Sequence, residues 1–147
     1  MPNPIMPSSH RLAQVIASTK NTADALSQQT YTFQAITNFG ANVAANTTID
    51  PAAPPQYRIE SGGVQLRCRG QIITTGSVAQ GATLFTLPYA PNEEGLFPAL
   101  AFSVNSGTVL TIGLRVVALT GAVVPYAGSL ATNTIIFLDP INIGILS

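Results

Sequence analysis

The sequence predicts a mainly β protein, an antiparallel β-sandwich or jelly-roll-like domain at residues 57–147, preceded by an N-terminal arm at residues 1–56. Three observations predict it. From Tyr57 onward, short apolar runs are separated by Gly, Pro and Asn at regular intervals, with no 3.6-residue period. Only 8% of residues are charged, although 46% are hydrophobic; an ordinary soluble domain carries roughly 25% charge. A stretch rich in Ala, Asn, Thr and Pro, Gly40 to Gln56, divides the two parts as an extended connector.

The arm opens on a Pro-rich leader, Met1 to Ser9, with neither the basic nor the apolar region of a signal peptide. Ser8 or Ser9 can cap a helix over about residues 10–28, because a hydroxyl accepts the free N–H groups of a first turn. Leu12, Ile16, Thr19, Ala23 and Leu26 recur there at heptad-like spacing, but for two heptads only. This seam suits either an amphipathic helix lying on its own domain or on a neighbour, or a short trimeric bundle, and makes Leu12, Ile16 and Leu26 candidate interface residues. A strand follows at about 31–36, where Tyr31, Phe33 and Ala35 alternate with polar residues.

In the second part, strands are expected at Tyr57–Glu60, Val64–Thr74, Thr83–Leu87, Leu100–Asn105, Val109–Leu119, Val123–Tyr126 and Thr134–Leu138. Asn105-Ser106-Gly107-Thr108 between two apolar runs is the clearest hairpin signal. Two uncharged stretches, ending at Arg115 and Leu138, are broken by Pro, Gly and Asn too often for a membrane-spanning helix.

The charge balance, six basic against six acidic residues, excludes a nucleic-acid binder that works by gathering cations on DNA. Nothing assembles into an active site, so no enzyme, cofactor or metal site is expected. The single histidine, His10, lies in the arm, and one histidine builds neither a Ser-His-Asp triad nor a two-His zinc site. The single cysteine, Cys68, lies between Arg67 and Arg69; alternation turns it inward with Val64 and Leu66, as a buried inert thiol. Glu93-Glu94 reads as a solvated turn. Arg115 stands alone in an apolar strand, opposite the inward row Leu110, Ile112, Leu114 and Val116, and is a candidate partner for Asp139 or for an acid across a subunit interface. Tyr89 and Tyr126 lie near loops and are the candidates for stacking on a receptor.

Two segments, Val64 to Ile72 and Gly81 to Pro91, together with Leu138-Asp139-Pro140-Ile141 near the end, resemble the motifs of small β-sandwich domains in virion proteins of tailed bacteriophages. Ala90 and Pro140 depart from that pattern, and no ligand residue is carried over. The resemblance implies a trimeric jelly-roll-like head in the virion, assembled in the host cytoplasm. Two roles fit it. One is a capsid decoration (cement) protein docked on the major capsid protein through its arm; the other is a tail-fibre or baseplate tip that binds a host receptor. The absence of a long repetitive shaft, and an arm of a composition that orders only when a neighbour captures it, favour the decoration role. A homotrimer would also cover the apolar strand faces that so few charges leave exposed.

Overall fold

The computed structural model describes residues 32–50, 52–60 and 64–145. The expected leader and helix, with Leu12, Ile16 and Leu26, lie outside the described residues. Over those described, the chain is mainly β and contains no helix. Eleven strands form: β1 (Gln34–Ala35), β2 (Val43–Ala45), β3 (Gln56–Glu60), β4 (Gln65–Arg69), β5 (Gln71–Thr74), β6 (Phe85–Thr86), β7 (Gly95–Ser103), β8 (Thr108–Val116), β9 (Ala122–Pro125), β10 (Thr134–Phe137) and β11 (Asn142–Gly144). They build a four-stranded sheet, β1-β3-β4-β11, and a seven-stranded sheet, β2-β5-β10-β7-β8-β9-β6. Every strand pairing is antiparallel.

Period-2 alternation decides which side chains meet between the sheets. Along β4, Leu66 and Cys68 are buried while Gln65, Arg67 and Arg69 are exposed. Tyr57 and Ile143 join them from the small sheet; Ile72, Ile136, Ala101, Leu114, Val116, Val123 and Phe85 face them from the large one. A single apolar core results, and it drives the association of the sheets.

The expected strand Val64–Thr74 is two strands in two sheets, and the corner between them is Gly70. Its φ is +86°, and a Cβ there would lie 2.1 Å from the Pro54 carbonyl oxygen. Only glycine accepts both the left-handed backbone and so close an approach. The bend is fixed on both sides, by Gln71 N–H to the Ala53 oxygen and Leu138 N–H to the Gly70 oxygen.

Residues 32–50 are woven into both sheets. β1 pairs with β3, and β2 pairs with β5. The connector between them and β3 is held by Asn46, which is 1% exposed. Its amide donates to Gln71 Oε1 and to the Ile49 carbonyl, and its Oδ1 accepts from Ile49 N–H. A buried amide so fully satisfied fixes one path for the chain.

The hairpin expected around Asn105–Thr108 joins β7 to β8 in register from Gly95↔Val116 to Ser103↔Thr108. Gly107 takes φ +67°, and its N–H closes the turn on the Ser103 oxygen. Asn133 Nδ2 donates to Asn105 Oδ1, which ties the tip to the loop before β10.

Candidate interaction surfaces

Strand register explains where each expected site residue falls. Leu96 lies opposite Arg115 across the β7–β8 hairpin. That pairing brings the turn preceding β7 alongside Arg115, whose guanidinium approaches Glu94 at 4.0 Å. The partner is therefore Glu94 and not Asp139. Both side chains remain substantially exposed, 37% and 51%, so water screens this long contact. The Arg115 Nε is nevertheless buried without a hydrogen-bond partner among the described residues. Asp139 is exposed and borders a groove with Arg69, Gln56 and Gln71.

The two loop tyrosines sit in different surroundings. Tyr89 is exposed and meets Tyr57 edge-on, ring centroids 6.4 Å apart. Burial, and the neighbouring Tyr89, push the Tyr57 phenol above its ordinary pKa, and its hydroxyl donates to Gln34 Oε1. Tyr126 lies over Gly113 of β8, where a Cβ would come within 2.4 Å of the ring. Glycine at this strand position makes room for the aromatic ring, which in turn covers backbone that glycine leaves bare.

The outward side of the large sheet carries the exposed apolar surface. Leu96, Pro98 and Leu100 of β7 share this side with Val109 of β8, all exposed, and Val109 is 69% exposed. Ile135 of β10 points the same way, beside Phe102, yet is fully buried. A groove of about 300 Å³ lies here, lined by Leu100, Phe102, Val109, Ile135 and Phe137 with Asp50 at its margin. Neighbouring exposed apolar side chains of this kind mark a contact surface more often than scattered single ones do.

The outward side of the small sheet is cationic. Alternation along β4 turns Arg67 and Arg69 outward, and Arg58 of β3 lies directly opposite Arg67. Phe33 sits beneath two of these groups, its ring centroid 3.5 Å from the Arg69 guanidinium carbon and 4.5 Å from that of Arg58. Arg67 and Arg69 can be placed on one face from the sequence alone. Phe33 and Arg58 cannot, because the pairings of β1 with β3 and of β3 with β4 bring them there.

Cys68 is fully buried behind this face, and burial pushes its thiol up to about 12. Among the described residues no three His, Cys, Asp or Glu side chains cluster as metal ligands, and no helix is long and apolar enough to cross a membrane.

No protein-family model matches the chain, and no curated protein matches it significantly in sequence. Among solved structures, the chain is similar in fold to the receptor binding protein (gp15) of Listeria phage PSA. The likeness has a TM-score of 0.65 at 16% sequence identity and covers 99% of this chain and 82% of that one.

Proposed function

We propose that the chain is a non-enzymatic virion component of a tailed phage, a tail-fibre or baseplate tip that contacts a receptor on the host surface as a homotrimer. The likeness in fold to a phage receptor binding protein, extending over nearly the whole chain, carries this reading. It favours the tip over the capsid-decoration role that the sequence put first, because the structural neighbour is a receptor binder. The part of the arm that precedes residue 32 then holds the chain to the particle, and the β domain, into which residues 32–50 are woven, faces the host.

The trimer rests on the outward side of the large sheet. Its exposed Leu96, Leu100 and Val109 give each copy an apolar surface for another copy to cover.

The test is competition. Purified protein should adhere to cells of the host bacterium and block adsorption of the phage that carries it. Protein that binds capsids from which it has been removed, and binds no host surface fraction, would restore the decoration role.

A further inference from the structure

We infer that the outward face of the four-stranded sheet binds an anionic group, a phosphate or carboxylate, repeated along a cell-surface glycopolymer. The identity of the polymer rests on the receptor-binding reading; the anion site rests on the geometry of the face.

Four cationic residues lie among the described residues: Arg58, Arg67, Arg69 and Arg115. Three of them occupy this one face, and two, Arg58 and Arg67, are direct cross-strand neighbours. Like charges so placed repel, and the pairing is unfavourable unless something negative lies between them. Among the described residues the face has one carboxylate of its own, Glu60, and it is already engaged with Arg58. Arg69 uses its Nε–H on Gln56 Oε1, 2.8 Å away, which leaves its two terminal amino groups for another acceptor. Arg67 has no polar partner among the described residues. Asp139 borders the groove beside Arg69 but forms no ion pair with it.

Phe33 supplies the second half of the argument. A ring lying 3.5 Å and 4.5 Å from two guanidinium carbons restrains both side chains by cation–π contact. Arginines already held in place lose less entropy when they bind, so the face is prepared for a ligand. Guanidinium groups offer paired N–H donors that match the oxygens of phosphate or carboxylate. Gln65 beside them and Asn142, opposite Arg67 on β11, are exposed neutral groups suited to hydroxyls flanking the charge. Three arginines are too few for a nucleic-acid track, but they suit a polymer whose charges are spaced by neutral units.

The test uses the full chain and five probes: poly(glycerol phosphate), polygalacturonate, uncharged dextran, an oligo-glutamate peptide and a single-stranded oligodeoxynucleotide. Arg67→Gln is compared with Arg115→Gln, which removes the same charge from the other sheet. Binding to one of the two charged glycopolymers or polyol polymers should weaken with salt, and Arg67→Gln should reduce it about tenfold or more. Arg115→Gln should stay within about twofold of the parent. Equal losses in both variants, or no binding to either polymer, would overturn the site. Preference for oligo-glutamate or for the oligonucleotide would overturn the glycopolymer and assign the face to an acidic protein or a nucleic acid. Host-cell adhesion separates the two levels. Adhesion that survives Arg67→Gln while polymer binding is lost keeps the anion site, overturns the cell-surface glycopolymer as its ligand and leaves the receptor reading intact. Polymer binding without any host-cell adhesion supports the site and overturns the receptor reading.

Discussion

The outward side of the four-stranded sheet presents Arg58, Arg67 and Arg69 among glutamine and asparagine, whereas that of the seven-stranded sheet presents Leu96, Leu100 and Val109. The two sheets share one core, so burial inside does not distinguish them. Their outer residues do. A charge-poor chain has placed three of its four described cations on one sheet and left apolar side chains bare on the other. The first arrangement stores unsatisfied donors, and the second stores unsatisfied apolar area. Donors of that kind suit a hydrated anionic ligand, and apolar area suits another protein surface.

The comparison depends on β4 and β5 belonging to different sheets, and the largest expected effect follows from breaking that division. Gly70→Val should force a β-branched residue into a left-handed backbone and against the Pro54 carbonyl. A loss of about 3 kcal/mol or more is expected, with collapse of the denaturation midpoint, since strain and overlap combine there. A valine variant of ordinary stability would show that the corner is not the constraint described.

Removing Asn46 tests the connector that crosses beside the apolar face. Asn46→Ala strips partners from Gln71 and from the Ile49 backbone, and about 2 kcal/mol should be lost in urea unfolding.

The cysteine behind the cationic face gives a pH dependence. Its thiol ionises at about 12 in the folded chain, against an ordinary value of 9.0. The raised value means that this contribution to stability is intact below pH 9 and is lost as pH climbs from there toward 12. Cys68→Ala should flatten the alkaline part of the stability profile. In the parent, a thiol reagent at neutral pH should label the chain only after unfolding, because the thiolate and access are both lacking.

The smallest effect belongs to Arg115. Arg115→Gln should change stability by no more than about 0.5 kcal/mol, because its contact with Glu94 is long and open to water. A large loss would mean that its buried Nε meets a partner, such as an acid from another copy, and would place Arg115 within the copy–copy contact.

The strands were legible wherever alternation was uninterrupted. The pattern Leu66, Arg67, Cys68, Arg69 showed which side faces inward, and Ser106-Gly107 marked its hairpin. The corner at Gly70 was not legible, because apolar residues continue beyond it and the constraint comes from Pro54, distant in sequence. β2 was hidden for a related reason. Ala44 and Ala45 have little strand preference of their own, and they pair with β5 because the tertiary structure holds them there. Arg115 was visible as an isolated charge, but its neighbour depended on hairpin register, which brings Glu94 and not Asp139 beside it. The cationic cluster was half legible. One strand revealed two arginines on a common face, and only the pairing of β3 with β4 and the position of Phe33 completed it.

The central claim is that the apolar sheet face is where copies meet while the arginine face stays open. Light scattering on the purified full chain, beside a Leu100→Lys/Val109→Lys variant, tests it most directly. The account predicts three times the chain mass for the parent and a folded single chain for the variant, with binding of the anionic polymer retained at each isolated face. A parent that is monomeric at micromolar concentration, or a variant that remains trimeric, would contradict it.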